Sequence, residues 1–288
     1  MKNNQNKISQ SKKLKVSRFF SYIFLILMTL LCLFPFYILL VNSSRSHPEL
    51  VQGFSFLPSS SFFTDLNNIL FDENIPLLTA LRNSLLISSI TALFTAYFSA
   101  MTAYGVYAYD FKHKRLVNSF IMLIMMVPTQ VSALGFIDLI GKMDLMDTFY
   151  PLIIPSIAAP IVYFYLKQYM ESVLPLEIVD AARVDGSGEF RTFNTIVLPM
   201  IKPALAVQAI FAFVGSWNNY FMPALILNSD ANKTVPIIIA QLRNTDYMNF
   251  DLGKVYMIIF VAIVPLVIVY IFLSKYIIKG VTTGGVKG

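Results

Sequence analysis

The run FFSYIFLILMTLLCLFPFYILLV, residues Phe19–Val41, contains no charged side chain. A helix that crosses the hydrocarbon core of a bilayer needs roughly 20 mainly apolar residues, and this run is long enough. The basic stretch MKNNQNKISQSKKLKVSR precedes it and is similar to the start of a secretory signal peptide. The apolar run is too long for a signal peptide and lacks a small-residue cleavage site. We therefore expect it to be retained as a membrane span.

The composition of the whole chain also indicates a membrane protein. Of its 288 residues, 56% are hydrophobic and only 13% are charged, whereas soluble domains are about 25% charged. Five further apolar blocks follow the first one. We predict an all-α integral membrane protein with six transmembrane helices, at approximately 19–41, 84–107, 117–140, 149–166, 204–227 and 255–278.

The distribution of Lys and Arg predicts the orientation, because these residues are enriched in cytoplasmic loops. The N-terminal segment and the stretch DFKHKR at Asp110–Arg115 are basic. The loop 42–81 instead has Arg45 as its only basic residue, against Glu49, Asp65, Asp72 and Glu73. Both termini are therefore expected in the cytoplasm, and the net charge of +6 reflects topology and gives no reason to expect a nucleic-acid partner. The predicted parts are a basic N-terminal segment, a membrane domain and a tail, at 1–18, 19–278 and 279–288.

The predicted spans lack ionisable groups at their centres, where no Asp, Glu, Lys, Arg or His occurs. Ion-coupled carriers and proton pumps need such groups at depth, so the sequence disfavours that class. His47 and His113 lie on opposite sides of the membrane in the predicted topology and cannot share a metal ion. No nucleophile stands beside a base. We expect no catalytic residue and no metal site.

Uncharged polar residues do occur within spans three and five. One interpretation is hydrogen bonding between helices, worth about 1 kcal/mol for each bond. The other is a pathway for a neutral polyhydroxylated solute, whose hydroxyl groups pair with amides and whose apolar faces pack on aromatic rings. We favour the pathway for span five as a whole. The predicted pathway residues are Thr129, Gln130, Ser132, Gln208, Ser216, Trp217, Asn218, Asn219 and Tyr220.

Span two has a different pattern, in which a small residue recurs every four positions. One helix face thus carries little side-chain volume, which predicts close approach of a neighbouring helix. The residues are Ser84, Ser88, Ala92, Ala96 and Ala100.

A polar segment, residues 171–203, separates spans four and five and is expected in the cytoplasm. It includes PLEIVDAARVDGSGEFRTFNTIVLPMIKP. Pro175 suits the first turn of a helix and Gly186 suits its end, and a second helix is expected with Glu189 in its first turn. The adjacent Ala181 and Ala182 leave room for close contact. A lipid-binding surface helix would carry a basic face, whereas this one has mixed charge, so we predict that it docks on a protein.

The polar segment resembles the EAA loop of ATP-binding-cassette importer permeases. The triplet reads Asp180-Ala181-Ala182, with Asp in place of the family's Glu, and Asp185-Gly186 follows. The stretches RNSLL at Arg82–Leu86 and WNNYFMP at Trp217–Pro223, with the tail KGVTTGGVKG, are similar to the maltose-type carbohydrate group, specifically its maltose-permease-like second subunit. Asn219 stands where that group often has an acidic residue, which argues against a charged role there.

The resemblance implies that the polar segment contains a coupling helix that docks into an ATPase. The implied contact residues are Glu177, Asp180, Ala181, Ala182, Arg183, Asp185 and Gly186. The chain has no G-x-x-x-x-G-K-[ST] phosphate loop, so ATP and Mg²⁺ are expected on the separate ATPase chain and no cofactor on this one.

The resemblance also implies a bacterial plasma membrane location and a complex embedded in the lipid bilayer. Its other members would be a second permease in a heterodimer, two ATPase subunits and an extracellular solute-binding protein. In the family the tail, here 280–288, also reaches the ATPase interface. A permease for another solute and a non-transporting membrane scaffold remain the alternatives.

Overall fold

The computed structural model describes residues 2–72, 75–243 and 250–284, and the side chains of 17–72, 75–243 and 250–272. Glu73, Lys287 and the end of the predicted tail, 285–288, lie outside the described residues. Every regular element within the described residues is helical, with a 3₁₀ turn at Ile154–Ile157 and a π-helical turn at Phe193–Val197. The α-helices are α1 Lys2–Asn42, α2 His47–Val51, α3 Phe62–Leu70, α4 Leu77–Ala108, α5 Lys114–Ile124, α6 Thr129–Lys142, α7 Tyr150–Ile153, α8 Pro160–Val173, α9 Leu176–Val184, α10 Glu189–Thr192, α11 Leu198–Met200, α12 Lys202–Trp217, α13 Phe221–Ile226, α14 Val235–Arg243 and α15 Leu252–Gly284.

Four helical runs among the described residues are long and apolar enough to cross a membrane. The number rises to six if each of two sharply bent helix pairs forms one span. The four runs are Ser17–Asn42, Leu77–Ala108, Tyr150–Val173 and Leu252–Phe272, and the bent pairs are Lys114–Ile124 with Thr129–Lys142 and Glu189–Met200 with Lys202–Trp217. The all-helical membrane class predicted from the sequence is therefore confirmed.

The third predicted span is broken. Its two halves, α5 and α6, meet at an angle of 96°. Pro128 lies at the break and precedes α6 in an extended conformation, with ψ at 129°. Proline has no N–H for the helical ladder and disfavours helical geometry in the residue before it. A continuous helix over 117–140 was therefore the wrong expectation.

Three other boundaries differ from the prediction. The fourth apolar run continues to Val173, beyond the predicted end at 166. The predicted fifth span is interrupted after Trp217, where α12 ends and three residues precede α13. The last helix reaches Gly284, so part of the predicted tail is helical. Apolar composition marks the presence of these helices better than it marks their ends.

The chain forms two compact units. The first comprises the described residues of Met1–Phe71 and Tyr247–Phe260. In this unit Glu49 accepts the Ser46 N–H at 2.8 Å and so caps α2. The hydroxyl of Ser59 donates to the same carboxylate at 2.8 Å, and the Leu252 N–H donates to Nδ1 of His47 at 3.0 Å. These bonds hold the start of α15 to the chain that follows α1.

The second unit comprises the described residues of Asp72–Asp246 and Val261–Gly288. At its centre α4 packs against α8 and α12. The small residues that recur along α4 are all buried, which confirms the prediction that this face contacts neighbouring helices. Small side chains allow helix backbones to approach closely, and van der Waals packing is a main source of helix association in a bilayer.

Asp147 organises the connection between α6 and α7. Its carboxylate accepts the N–H groups of Asn228 and Ser229 at 2.8 and 3.1 Å, and its carbonyl accepts from the Asn232 amide at 2.7 Å. The hydrogen bond from the Ser229 side chain, followed by those from the backbone, lowers the pKa of Asp147 to about 2. The residue has a φ of 57°, a left-handed conformation that Asp tolerates better than most side chains.

Asn83 connects the start of α4 to the segment between α13 and α14. It is buried and donates from its side-chain amide to the carbonyls of Ala231 and Lys233, at 2.8 and 3.0 Å. The hydroxyl of the neighbouring Ser84 accepts the Val235 N–H at 2.9 Å. Ala231, Lys233 and Val235 thus each form a backbone hydrogen bond with a side chain of α4.

Candidate functional site

Helix α9 of the polar segment has the limits that local chemistry predicts. It follows Pro175, carries Glu177 in its first turn and ends before Gly186, whose φ is +79°. The Gly186 N–H donates to the carbonyl of Arg183 at 3.0 Å and the Ser187 N–H to that of Ala182 at 2.9 Å. This pair of bonds is the Schellman arrangement, which closes a helix through a left-handed residue. The predicted helix and its terminator are confirmed.

The two faces of α9 have different surroundings. Val179 and Ala182 are both buried, and Val179 belongs to a cluster with residues of α4, α8 and the π-helical turn. Ala181 and Asp185 lie on the exposed face. Only one alanine of the pair is therefore available to a partner, because successive helical residues point about 100° apart. The sequence interpretation, which placed both alanines at the docking surface, was wrong for Ala182.

An exposed apolar patch adjoins α9, and sequence reasoning missed it. Val184 is 88% exposed and Phe190 is 69% exposed, although both lie within a polar stretch. Phe193 and Val197 of the following π-helical turn are instead buried. The spacing of apolar residues does not reveal which of these side chains face the core.

Arg183 and Asp180 of α9 are paired within the chain. Arg183 donates from Nε to Glu189 Oε1 at 2.7 Å and from Nη1 to Asp180 Oδ1 at 2.9 Å. Its guanidinium carbon lies 5.1 Å from the ring centroid of Tyr109, within cation–π range. The hydrogen bond to Glu189, followed by that to Tyr109, raises the pKa of Arg183. Burial raises the pKa of Tyr109, and its hydrogen bond to Glu189 adds to the effect.

A cavity of about 730 Å³ lies between α4, α8 and α12. Three predicted pathway residues line it, namely Gln208 and Ser216 of α12 and Asn219 just after it. Tyr165 and Phe211 contribute aromatic rings to the lining. No Asp, Glu, Lys, Arg or His is among its described lining residues. The cavity therefore offers neutral hydrogen-bonding groups beside apolar faces.

Two threonines of α4, Thr91 and Thr95, also line this cavity and were missed. The Thr95 hydroxyl donates to the carbonyl of Ser156 at 3.2 Å. The Thr91 Oγ1 is buried and has no hydrogen-bond partner within the described part of the chain. An unpaired buried hydroxyl is costly, so it calls for a ligand or a water molecule. Thr91 and Thr95 are four residues apart and therefore share a helix face, which was the available signal in the sequence. The more extensive pattern of small residues in the same helix obscured it.

The other predicted pathway residues lie elsewhere. Trp217 is buried and stacks on Phe213, with ring centroids 5.8 Å apart, so it belongs to the packing of α12. Tyr220 lines a separate polar cavity and Asn218 is exposed. The remaining three are exposed at the start of α6, after the 96° bend that separates them from the cavity lining. They are Thr129, Gln130 and Ser132.

Residues 92–282 match the family described as binding-protein-dependent transport system inner membrane component. The chain belongs to this family, whose members are membrane subunits of transport systems. The match includes the polar segment, α8, α12 and most of α4, and therefore the helices that line the cavity.

The chain is also similar to named sugar permeases. It is 33% identical to the arabinooligosaccharides transport system permease protein AraQ of Bacillus subtilis, over 98% of this chain and 100% of the relative. It is 31% identical to the trehalose/maltose transport system permease protein MalG of Thermococcus litoralis, over 91% and 94%. A solved bacterial ABC transporter involved in the import of the acidic polysaccharide alginate has the same fold, with a TM-score of 0.79 at 20% identity over 91% of this chain and 97% of that one.

Proposed function

We propose that the chain is the permease subunit of an ATP-driven importer of an oligosaccharide. It crosses the bacterial plasma membrane six times with both termini in the cytoplasm. The bent pair of α5 and α6 forms the third span, and α12 forms the core of the fifth. The polar segment then lies in the cytoplasm as the docking site for the ATPase.

The observation that carries this proposal is the packing of α9 on the helices that surround the cavity. Val179 of α9 is fully buried in the same cluster as Tyr104 of α4 and Leu166 of α8. Both α4 and α8 also line the cavity. Since packed interiors transmit displacement rather than absorb it, a force on α9 reaches the walls of the cavity. A lipid-anchoring surface helix would have no need of this connection.

The exposed face of α9 suits a protein partner. Val184 and Phe190 are exposed apolar residues, and Asp180 and Asp185 are exposed acidic residues of the same segment. Interfaces typically combine an apolar core with a polar rim. ATP and Mg²⁺ are held by the partner ATPase, and this chain supplies the surface through which closure of the ATPase changes the state of the spans. Such a change requires that the contacts differ between the two states.

The chemistry of the cavity favours a neutral sugar. Amides and hydroxyls from Gln208, Ser216 and Asn219 pair with sugar hydroxyls in either direction, and aromatic rings pack on the apolar sugar faces. The names of the relatives, which transport arabinooligosaccharides or trehalose and maltose, support an oligosaccharide. The partners that complete the importer are a second permease, two ATPase subunits and an extracellular solute-binding protein. Membership of the binding-protein-dependent transport family supports the presence of the solute-binding protein.

The test uses the complete complex in proteoliposomes. The binding protein and labelled arabinotriose or maltotriose are added to the assay medium outside them. Wild type is expected to accumulate one of these sugars only when ATP is enclosed. Val184→Asp places a charge at an exposed apolar position of the docking surface and is expected to abolish copurification of the ATPase. The matched control is Val51→Asp, since Val51 is 67% exposed and lies outside the polar segment.

Two results would contradict the proposal. Full retention of the ATPase by Val184→Asp would remove the docking site from this surface. Absence of ATP-dependent sugar uptake, with uptake of a charged solute such as sn-glycerol 3-phosphate instead, would establish a permease of another solute class.

A further inference from the structure

The connection between α9 and α10 is bridged by one ion pair. Residues 185–188 contain Gly186 and Gly188, so the backbone here has few restrictions. Arg183 at the end of α9 nevertheless reaches across it to Glu189 at the start of α10, with Nε and Oε1 2.7 Å apart. The ion pair thus adds a side-chain restraint to a turn that the backbone bonds of Gly186 and Ser187 already close.

Two tyrosines at the end of α4 bind both members of the ion pair. The Tyr104 hydroxyl donates to Oε2 of Glu189 at 3.1 Å, and the Tyr109 ring lies under the guanidinium of Arg183. The two tyrosine rings contact each other edge to face, with centroids 5.8 Å apart. Tyr104 also stacks on Phe193, with centroids 5.7 Å apart. We call Arg183, Glu189, Tyr104 and Tyr109 the clasp.

The exposure of the ion pair shows that its main effect is not on folding. The side chains of Arg183 and Glu189 are 33% and 44% exposed, and exposed ion pairs contribute little to stability because water screens them. The geometry is nevertheless specific, since each carboxylate oxygen of Glu189 has its own donor. The ion pair therefore contributes little to stability. Its main effect, together with its tyrosine partners, is to fix the end of α4, α9 and α10 relative to one another.

We propose that Arg183 and Glu189, held by Tyr104 and Tyr109, are positioning residues that make the end of α4, α9 and α10 move together. This inference rests on the proposed function. Movement of α9 by the ATPase would then displace α4, which carries Thr91 and Thr95 into the cavity wall. Without the clasp, α9 would retain its contact with the ATPase while the turn at Gly186 absorbed part of its movement.

This role differs from the one that the sequence suggested for Arg183. A guanidinium that already binds Glu189, Asp180 and the Tyr109 ring has two of its five N–H donors and one face in use. A direct ATPase contact predicts that loss of the clasp weakens ATPase binding. The positioning role predicts that binding persists and that the sugar transported per ATP hydrolysed falls.

The experiment compares Glu189→Gln and Tyr104→Phe with wild type in proteoliposomes of the complete complex. Uptake, ATP hydrolysis and the amount of ATPase retained by the purified permease are measured together. Glu189→Gln removes the charge, and Tyr104→Phe removes a single hydroxyl. Coupling free energies between sites typically change equilibria by about fivefold or more, so the sugar-to-ATP ratio is expected to fall at least about fivefold in both variants with ATPase retention unchanged.

The control is Asp138→Asn, which removes a more exposed ion pair to Lys142 inside the single helix α6. Its sugar-to-ATP ratio should equal that of wild type. The inference is overturned if the ratio is unchanged in Glu189→Gln and Tyr104→Phe, or if ATPase retention falls in parallel with uptake. ATP-dependent uptake by wild type in the same experiment separates this failure from failure of the proposed function.

Discussion

Replacement of Gly186 by Ala tests whether the left-handed end of α9 is required for docking. The φ of Gly186 is +79°, and an added Cβ would meet no atom within 4 Å. The substitution therefore introduces no clash, and its whole cost is the left-handed conformation, about 1–2 kcal/mol for an L-residue. Because the free permease already has this turn, the strain lowers its free energy of unfolding. If the free variant relaxes out of the left-handed conformation and docking requires it, the ATPase should bind up to about 5- to 30-fold more weakly, since 1.4 kcal/mol corresponds to a factor of ten.

The assay is titration of the ATPase subunit against the permease heterodimer in lipid nanodiscs, with thermal unfolding of each variant recorded in parallel. Gly188→Ala is the matched control, because Gly188 has a φ of −67° and equal space for a Cβ. It should change the free energy of unfolding by no more than about 0.5 kcal/mol, since the lower entropy of the unfolded chain opposes the poorer helix cap.

Gly186→Asn provides a graded third variant. Asn adopts the left-handed region more readily than Ala, so its loss of affinity should be intermediate. The reasoning is refuted if Gly186→Ala and Gly188→Ala have the same ATPase affinity and the same unfolding temperature. That result would mean that the turn at Gly186 exists neither in the free permease nor in the docked one.

Three further predictions concern stability and solute binding. Asn83→Ala leaves the carbonyls of Ala231 and Lys233 without donors and should lower the free energy of unfolding by about 2–4 kcal/mol, measured in detergent by thermal or chemical unfolding. Thr91→Val removes an unpaired hydroxyl, so it should keep or raise the unfolding temperature while raising the KM for sugar uptake; a lower temperature with unchanged KM would contradict this. Because the pKa of Asp147 is lowered, its stabilisation is complete above about pH 4 and is lost as the pH falls to about 2; Asp147→Asn should therefore be less stable than wild type at pH 7 and approach it near pH 2.

Local chemistry made several features readable from the sequence. The helix α9 begins after Pro175 and ends before Gly186, as the missing N–H of proline and the permissive backbone of glycine predict. The small-residue face of α4 is buried, as its spacing of four indicates. The neutral cavity lining follows from the absence of ionisable residues at the centres of the spans.

The positions at which the predicted spans are interrupted were harder to predict from the sequence. The sequence contains Pro128 in a long apolar block, and many membrane helices accommodate a proline with a modest kink. Whether the result is a kink or the 96° break between α5 and α6 depends on neighbouring helices that satisfy the freed carbonyls. The apolar composition of a segment indicates its length but gives no information about the helices that pack against it.

The sequence by itself determined that this chain is a helical membrane protein with a polar segment between two apolar blocks, because hydropathy and helix ends depend on residues close together in the chain. Only the tertiary structure decided that Ala182 is buried while Ala181 is exposed, that Thr91 joins Gln208 at one cavity, and that Arg183 binds Glu189 and Tyr109. These facts depend on the rotation of each helix about its axis. That rotation is set by packing between residues distant in sequence, which no local pattern encodes.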